Sequence, residues 1–383
     1  MIALALGLGL TVISAETAPA SPASWSCAYV AARLPRSLGL LGDDTVSAEE
    51  MRAAKLRLSL SATVLTRASN LSLARDLAAS RLIVVRCLEV GPETRIEAQD
   101  FDAERPVAGS LVTTTRPRLE IAAAIDEIAR RLASSPRPGA LDGYRAPTGP
   151  SLARAGAALA LEGAGDRARG LTSALHNDPT CIDLRLSAVE ALIAAHDYDP
   201  AIRLGKPPLS TDTPATLARG LRFQVGAALL EAGRYPEAAE AFDALRRGRE
   251  TAAVLNNLGV ARFRLRDPTA TALFERAGAL PDPRQNDIAF NRTLALIFQG
   301  EADSALPSIS RLMEATPNDA RVRLLRAWAL RLLNREAERA EEWDRLLAQS
   351  PSFASLAAPD LARRLERIFF SERNAELGAG SSW

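Results

Sequence analysis

Residues 286–317 read NDIAFNRTLALIFQGEADSALPSISRLMEATP, and residues 318–351 read NDARVRLLRAWALRLLNREAERAEEWDRLLAQSP. Pro317 and Pro351 lie 34 residues apart, as do Thr293 and Ala327, and Ile309 and Trp343. The same spacing runs back through Asn257-Leu258-Gly259 with Ala270, Phe274 and Ala277. Before that come Val225-Gly226 with Gly233-Arg234-Tyr235, Ala238, Phe242 and Leu245. A recurring unit of this length is two helices whose apolar face is too large to bury alone, so the unit stacks on copies of itself. From about 151 to 351 the chain therefore reads as a binding platform, and the period does not say what it binds.

The residue types inside a unit suit a helical hairpin. Gly226 and Gly259 allow two helices to approach closely, and Gly233 and Gly300 stand where a first helix ends in a left-handed residue. Ala238, Ala270 and Ala305 sit at the helix crossing, and Phe242, Phe274 and Trp343 fill the gap to the next unit. The prolines at 179, 317 and 351 stop the second helix. This pattern resembles the tetratricopeptide repeat (TPR) family over roughly half the chain. The resemblance implies a mainly α fold, a TPR-type α-solenoid of helix pairs, here preceded by a small α/β domain. Six units start near Thr148, Ile182, Arg219, Ala252, Asn286 and Ala320. Some depart from the pattern. Lys206-Pro207-Pro208 shortens one second helix, the turn Arg266-Asp267-Pro268 is a residue short, and Arg339 replaces an alanine. An unrelated helical bundle is the alternative.

At 383 residues the chain has room for two or three domains. A formal net charge of +1 supplies no global field to attract nucleic acid or an acidic membrane. Arg262, Arg264 and Arg266 alternate, but residues two apart on a helix diverge and form no single patch.

Met1 to Ser14 is nearly unbroken apolar sequence, too short to span a membrane comfortably as a helix. Small residues follow at Ser14-Ala15 and Ala18-Pro19-Ala20. Residues 1–20 thus resemble a secretory signal peptide or a weak anchor, although no Lys or Arg precedes the apolar run. A buried first helix or strand is the other reading. The leader points to a periplasmic or secreted protein, or to one anchored in the membrane by its amino terminus. Of the three cysteines, Cys27 and Cys87 could bridge in an exported chain, or each of the three is a small apolar filler. His176 and His196 fall at helix ends near Asp178 and Asp197 and lack the further ligands that a metal site needs.

Residues 25–135 have another character. Thr45–Arg57 and Leu65–Ser80 read as helices, and Leu82–Val90, Thr94–Asp102 and Val107–Thr114 as strands joined by turns. Leu119–Leu132 is an amphipathic helix with Leu119, Ala122, Ala123, Ile125, Ile128, Ala129 and Leu132 on one face. The order, with Ala74 to Val85 leading from helix into strand, resembles the small amino-terminal α/β domain of TolB-like periplasmic proteins. In this chain Arg86-Cys87 replaces the glycine usual after that strand. The resemblance implies protein contacts in the cell envelope and no catalytic residue. A plain α/β cap on the stack is the other reading. Residues 136–150 form a Pro- and Gly-rich linker that divides the chain. Repeats then occupy 151–353, a capping helix 354–372 and a disordered tail 373–383.

No phosphate-binding glycine loop, nucleophile elbow or metal-binding signature occurs, so the chain reads as non-enzymatic and without cofactors. The inner face of the first helices carries the candidate partner groove: Phe223, Asn256, Arg264, Phe290, Phe298, Arg321, Trp328 and Arg331. The corresponding TPR positions add Ala227, Leu230, Glu231, Val260, Phe263, Leu294, Ile297, Leu324 and Leu332. An apolar and aromatic lining with a few arginines suits a peptide or protein segment with apolar anchors and an acidic residue. Lysine–asparagine capture of a carboxyl terminus is not expected, because only Asn256, Asn257 and Asn291 could contribute to it and the groove holds no lysine. The competing readings are a subunit that self-associates or packs into an envelope complex, and an enzyme hidden in residues 25–135.

Overall fold

A computed structural model describes residues 11–17, 25–43, 45–46, 48–60, 65–77, 79–103, 108–134, 136–280, 285–317 and 319–349. The chain forms two compact units that part between Ala228 and Leu229. The first unit opens with strand β1 (Thr11–Thr17), α1 (Trp25–Leu41), α2 (Ala48–Arg57) and α3 (Arg67–Asp76). Strands β2 (Arg81–Val90), β3 (Glu93–Asp102) and β4 (Ala108–Pro117) follow, and then α4 (Ile121–Leu132).

The sheet has the order β1-β2-β3-β4, with β1 parallel to β2 and the other pairs antiparallel. The end of the stretch read as a leader thus occupies an edge of the sheet. Thr11 pairs with Arg81 and Thr17 with Cys87, and both Thr11 and Ile13 are buried. The parallel pairing follows from the connection, since three helices separate the two strands. One face of the sheet presents Val85, Ala98 and Val112 in one row and Cys87, Ile96 and Thr114 in the next. Helices α1 and α4 cover this face, while α2 and α3 gather Met51, Leu73 and Ala74 against Leu82, Val84 and Phe101 on the other. Cys27, Cys87 and Cys181 are buried free thiols. A hydrogen bond with Cys27, together with burial, pushes the Cys87 thiol up from its ordinary value.

Three expectations need correcting. The amphipathic helix begins at Ile121, because Arg118–Glu120 form a 3₁₀ turn. Leu119 is therefore exposed, Ala123 points outward, and Ile121 and Ala124 take their places in the core. Residues Thr45 and Val46 precede α2, with Thr45 bridging to Thr11. Helix α1 was not anticipated; Pro35 stands inside it, and its carbonyl accepts a hydrogen bond from the Thr45 hydroxyl.

Helices α5 (Gly149–Leu159), α6 (Ala164–Asn177), α7 (Ile182–Ala194) and α8 (Tyr198–Gly205) form successive antiparallel neighbours, and α9 (Ala215–Glu231) crosses the unit boundary. Segment 136–150 does not separate the sheet from these helices. Leu141 and Tyr144 within it are buried, and α1 packs on α5. A Cβ on Gly156 would overlap the carbonyl and indole of Trp25, so only glycine allows that approach.

The second unit continues with α10 (Tyr235–Gly248), α11 (Ala252–Arg264), α12 (Ala270–Ala279), α13 (Gln285–Phe298), α14 (Ala302–Ala315), α15 (Ala320–Leu332) and α16 (Glu336–Gln349). Each helix from α10 packs on the next, and α11, α13 and α15 lie side by side as the first helices of three hairpins. The first helices begin within a few residues of the expected unit starts, with Ile182, Ala252 and Ala320 matching outright. The hairpin turns share one device. His196, Gly233, Arg266, Gly300 and Asn334 all have left-handed φ, between 55° and 87°. Gly259 on α11 lets the Phe274 ring of α12 lie close, since a Cβ there would stand 2.7 Å from the ring. The fold is thus mainly α, of tandem TPR-like helix pairs preceded by a small α/β sheet. The expected capping helix 354–372 and tail 373–383 lie outside the described residues. Among those described, no helix is long and apolar enough to cross a membrane.

Candidate partner-binding surface

Three aromatic side chains from successive first helices form a ladder. Phe263, near the end of α11, meets Phe298 at the end of α13 edge-on, with centroids 5.5 Å apart. Phe298 in turn meets Trp328 of α15 edge-on at 4.8 Å. Edge-to-face contact is the arrangement that ring quadrupoles favour. Phe263 and Phe298 keep part of their surface open, while Trp328 is buried. Arg331 and Leu332 follow Trp328 by three and four residues, so both lie on its side of the helix, and both are exposed.

The structure separates the other expected groove residues from this ladder. Phe223 and Phe290 are each 1% exposed, so their rings belong to the packing between helices and offer nothing to a partner. Phe290 lies in the core formed by Leu294, Ile309, Leu325 and Leu346. Asn256 is also internal. Its carbonyl accepts from the Asn291 amide at 2.9 Å, and its own amide donates to Asn257 at 3.2 Å. This chain satisfies polar groups that would be costly if left unpaired between α11 and α13. Arg264 stacks over the Tyr235 ring at 5.3 Å, and Arg321 is held by Asp319 at 2.8 Å. Of the eight candidates, then, Phe298, Trp328 and Arg331 come together, and Phe263 and Leu332 complete the group.

The first unit holds a second concentration of polar groups, which the sequence did not reveal. Asp183 of α7 is 1% exposed and receives four donors. Tyr29 and Arg33 donate to one carboxylate oxygen at 2.7 and 3.2 Å, and Tyr144 and Arg36 to the other at 2.8 and 2.6 Å. Arg33, itself 1% exposed, also pairs with Asp126 of α4 at 2.9 Å and stacks on the Tyr144 ring at 3.7 Å. Arg36 reaches Glu190 at 2.6 Å. Burial alone would raise the Asp183 carboxyl, but Arg36, Arg33 and the two phenols hold it down at about 2. Burial and the Asp183 charge push both phenols up. Every lone pair of Asp183 is engaged, leaving no acceptor for a substrate. The group is a fastener joining α1, α4, segment 136–150 and α7. Arg33 and Arg36 stand in a largely apolar stretch of α1, and nothing in that stretch names their partner. Among the described residues no cluster of acids, histidines and cysteines suits a metal ion.

No family model and no curated protein matches the chain. Among solved structures, it is similar to the MamA protein, with a TM-score of 0.37 and 18% identity over 46% of this chain and 96% of that one. YrrB, described as a TPR protein with an unusual peptide-binding site, gives 0.37 and 19% over 52% and 99%. The APC/C hetero-tetramer Cut9-Hcn1 gives 0.45 and 16%, covering 57% of this chain and 42% of that one. The architecture described above rests on this chain's own geometry and not on these likenesses.

Proposed function

We propose that this protein is a non-enzymatic interaction scaffold that holds a peptide or protein segment along the first-helix face of its second unit. The Phe263–Phe298–Trp328 ladder carries the reading. A row of aromatic edges crosses three hairpins, and its open side continues into exposed Leu332 and Arg331. A few residues supply most of the energy at protein interfaces, and aromatic and arginine side chains are enriched among them. The chemistry fits a segment with apolar or aromatic anchors and an acidic residue opposite Arg331. The test is selection from a displayed peptide library by the wild-type chain and by Phe298→Ala. Wild type should enrich apolar sequences carrying an acid, and the variant should lose that enrichment while keeping its helical circular dichroism. The same peptides enriched by both would overturn the reading.

An envelope location goes with this proposal, supported by the apolar start of the chain. The position of β1 sharpens its test. Cleavage after Ala15 would cut β1 and cleavage after Ala20 would remove it, so intact mass of the native protein decides between two forms. A mass that includes Met1, found in the envelope fraction, means β1 stays in the sheet and the protein is held by its amino terminus. A mass starting at Glu16 or Ser21 means a released, exported form with three strands. Full-length protein in the cytosol would contradict the location. Self-association has one observation in its favour, since among the described residues β4 is paired on one side only. Unpaired strand edges invite a second chain, and sedimentation across a concentration series would reveal it.

A further inference from the structure

Away from the aromatic ladder, helices α10, α11 and α12 enclose a cleft of about 260 Å³. Its lining is Leu258, Ala272 and Leu273 together with Arg246, Arg262, Arg276 and Asp243, and Thr269 stands at its edge. Three helices thus contribute one arginine each to a pocket with an apolar floor. Each guanidinium is held from one side. Arg246 donates to Asp243 at 2.9 Å, Arg262 to Asp267 at 2.7 Å and Arg276 to Glu250 at 2.5 Å. Arg262 and Arg276 each use a single nitrogen in these pairs, so most of their five N–H donors have no partner among the described residues. Asp267 accepts two hydrogen bonds from Thr269 and one from Arg262, which hold its carboxyl below its ordinary value and keep Arg262 in place. Asp267 and Glu250 stand outside the lining. They nevertheless sit at ion-pair distance from it, and with Asp243, which Arg247 also reaches, they set three carboxylates against four guanidinium groups, a net charge of one. Thr269, Ala272 and Leu273 belong to the start of α12, the positive pole of that helix.

We propose that this cleft binds a phosphoryl dianion carried on a small apolar group. Arginine forks match phosphate oxygens in pairs, and the N–H donors that Arg262 and Arg276 do not spend on Asp267 and Glu250 are enough for a tetrahedral group with three oxygens, where a planar carboxylate offers two. The volume is below the roughly 300 Å³ of the smallest drug-sized pockets, which limits the ligand to a phosphoryl group with about one ring against the leucines. A free aryl phosphate and a phosphorylated aromatic side chain in a peptide present this same chemistry.

The experiment titrates the full-length chain by calorimetry with phenyl phosphate, inorganic phosphate and benzoate. Phenyl phosphate should saturate one site, with the two partial ligands about tenfold weaker or worse. Arg262→Ala and Arg276→Ala should each weaken phenyl phosphate by about tenfold, and Asp243→Asn should tighten it several-fold. Raising salt from about 50 to about 500 mM should weaken it further. Arg262→Lys keeps the charge and loses the fork, so it tests the same point if the alanine variant fails to fold. A phosphotyrosine tripeptide that binds at least ten times tighter than phenyl phosphate assigns a peptide source, and equal affinity a free one. Absence of saturable binding, or binding unchanged in the arginine variants at unchanged melting temperature, overturns the proposal.

Discussion

Asp183 shows how one residue governs a junction. It is an acid in the first turn of α7, and in the sequence it looks like any acid at a helix start. Its importance comes from Tyr29, Arg33, Arg36 and Tyr144, which are more than a hundred residues away or in a Pro-Gly segment. No local pattern brings such partners together, so this group was illegible before the fold was known. Removing the charge leaves two buried guanidinium groups short of an acceptor. Asp183→Asn should therefore destabilise the first unit by about 3–5 kcal/mol, read from the urea midpoint. The pH dependence has a definite sign. The folded carboxyl titrates at about 2, below its ordinary value of 3.8, so its contribution is complete above that ordinary value. It is lost as pH falls toward 2. Between pH 5 and 2 the wild type should lose more stability than Asp183→Asn, and parallel losses would contradict the assignment.

At the scale of elements, the helical repeat was read correctly from spacing because its packing is local and periodic. Gly233 and Gly300 were legible as left-handed turn residues. Arg266 and Asn334 take the same conformation without being glycine, and only the structure shows it. Arg266 is exposed, so Arg266→Gly should relieve backbone strain and raise stability by about 0.5–1 kcal/mol, measured by thermal melting. Gly259 makes the opposite case. Its replacement by alanine drives a methyl into the Phe274 ring and should cost about 1–3 kcal/mol. Helix α1 escaped notice because Pro35 interrupts it and both sides of it are covered, which leaves no amphipathic period to detect. The groove was half legible for a related reason. Position within a repeat says which way a side chain points, but Phe223 and Phe290 are drawn wholly into the interior, whereas Phe263 and Phe298 at helix ends keep an open edge.

For the whole molecule, composition suggested a divider at 136–150, yet Tyr144 lies inside that segment and is one of the four donors to Asp183. The sheet, α1 and the first hairpins share one core, and the compact units part near Ala228 instead. A fragment ending at 135 lacks α5 and α7 and should show no cooperative thermal transition, whereas 1–228 should melt cooperatively. A cooperative melt of the shorter fragment would restore the linker reading. The central claim, that the ladder and Arg331 receive a peptide with apolar anchors and an acid, is tested most directly by a charge swap. One selected peptide is measured against wild type and Arg331→Glu, and then with its acid replaced by arginine. The account predicts about a tenfold loss for the variant with the original peptide and recovery with the swapped one. Equal affinity in all four combinations would show that the peptide binds elsewhere.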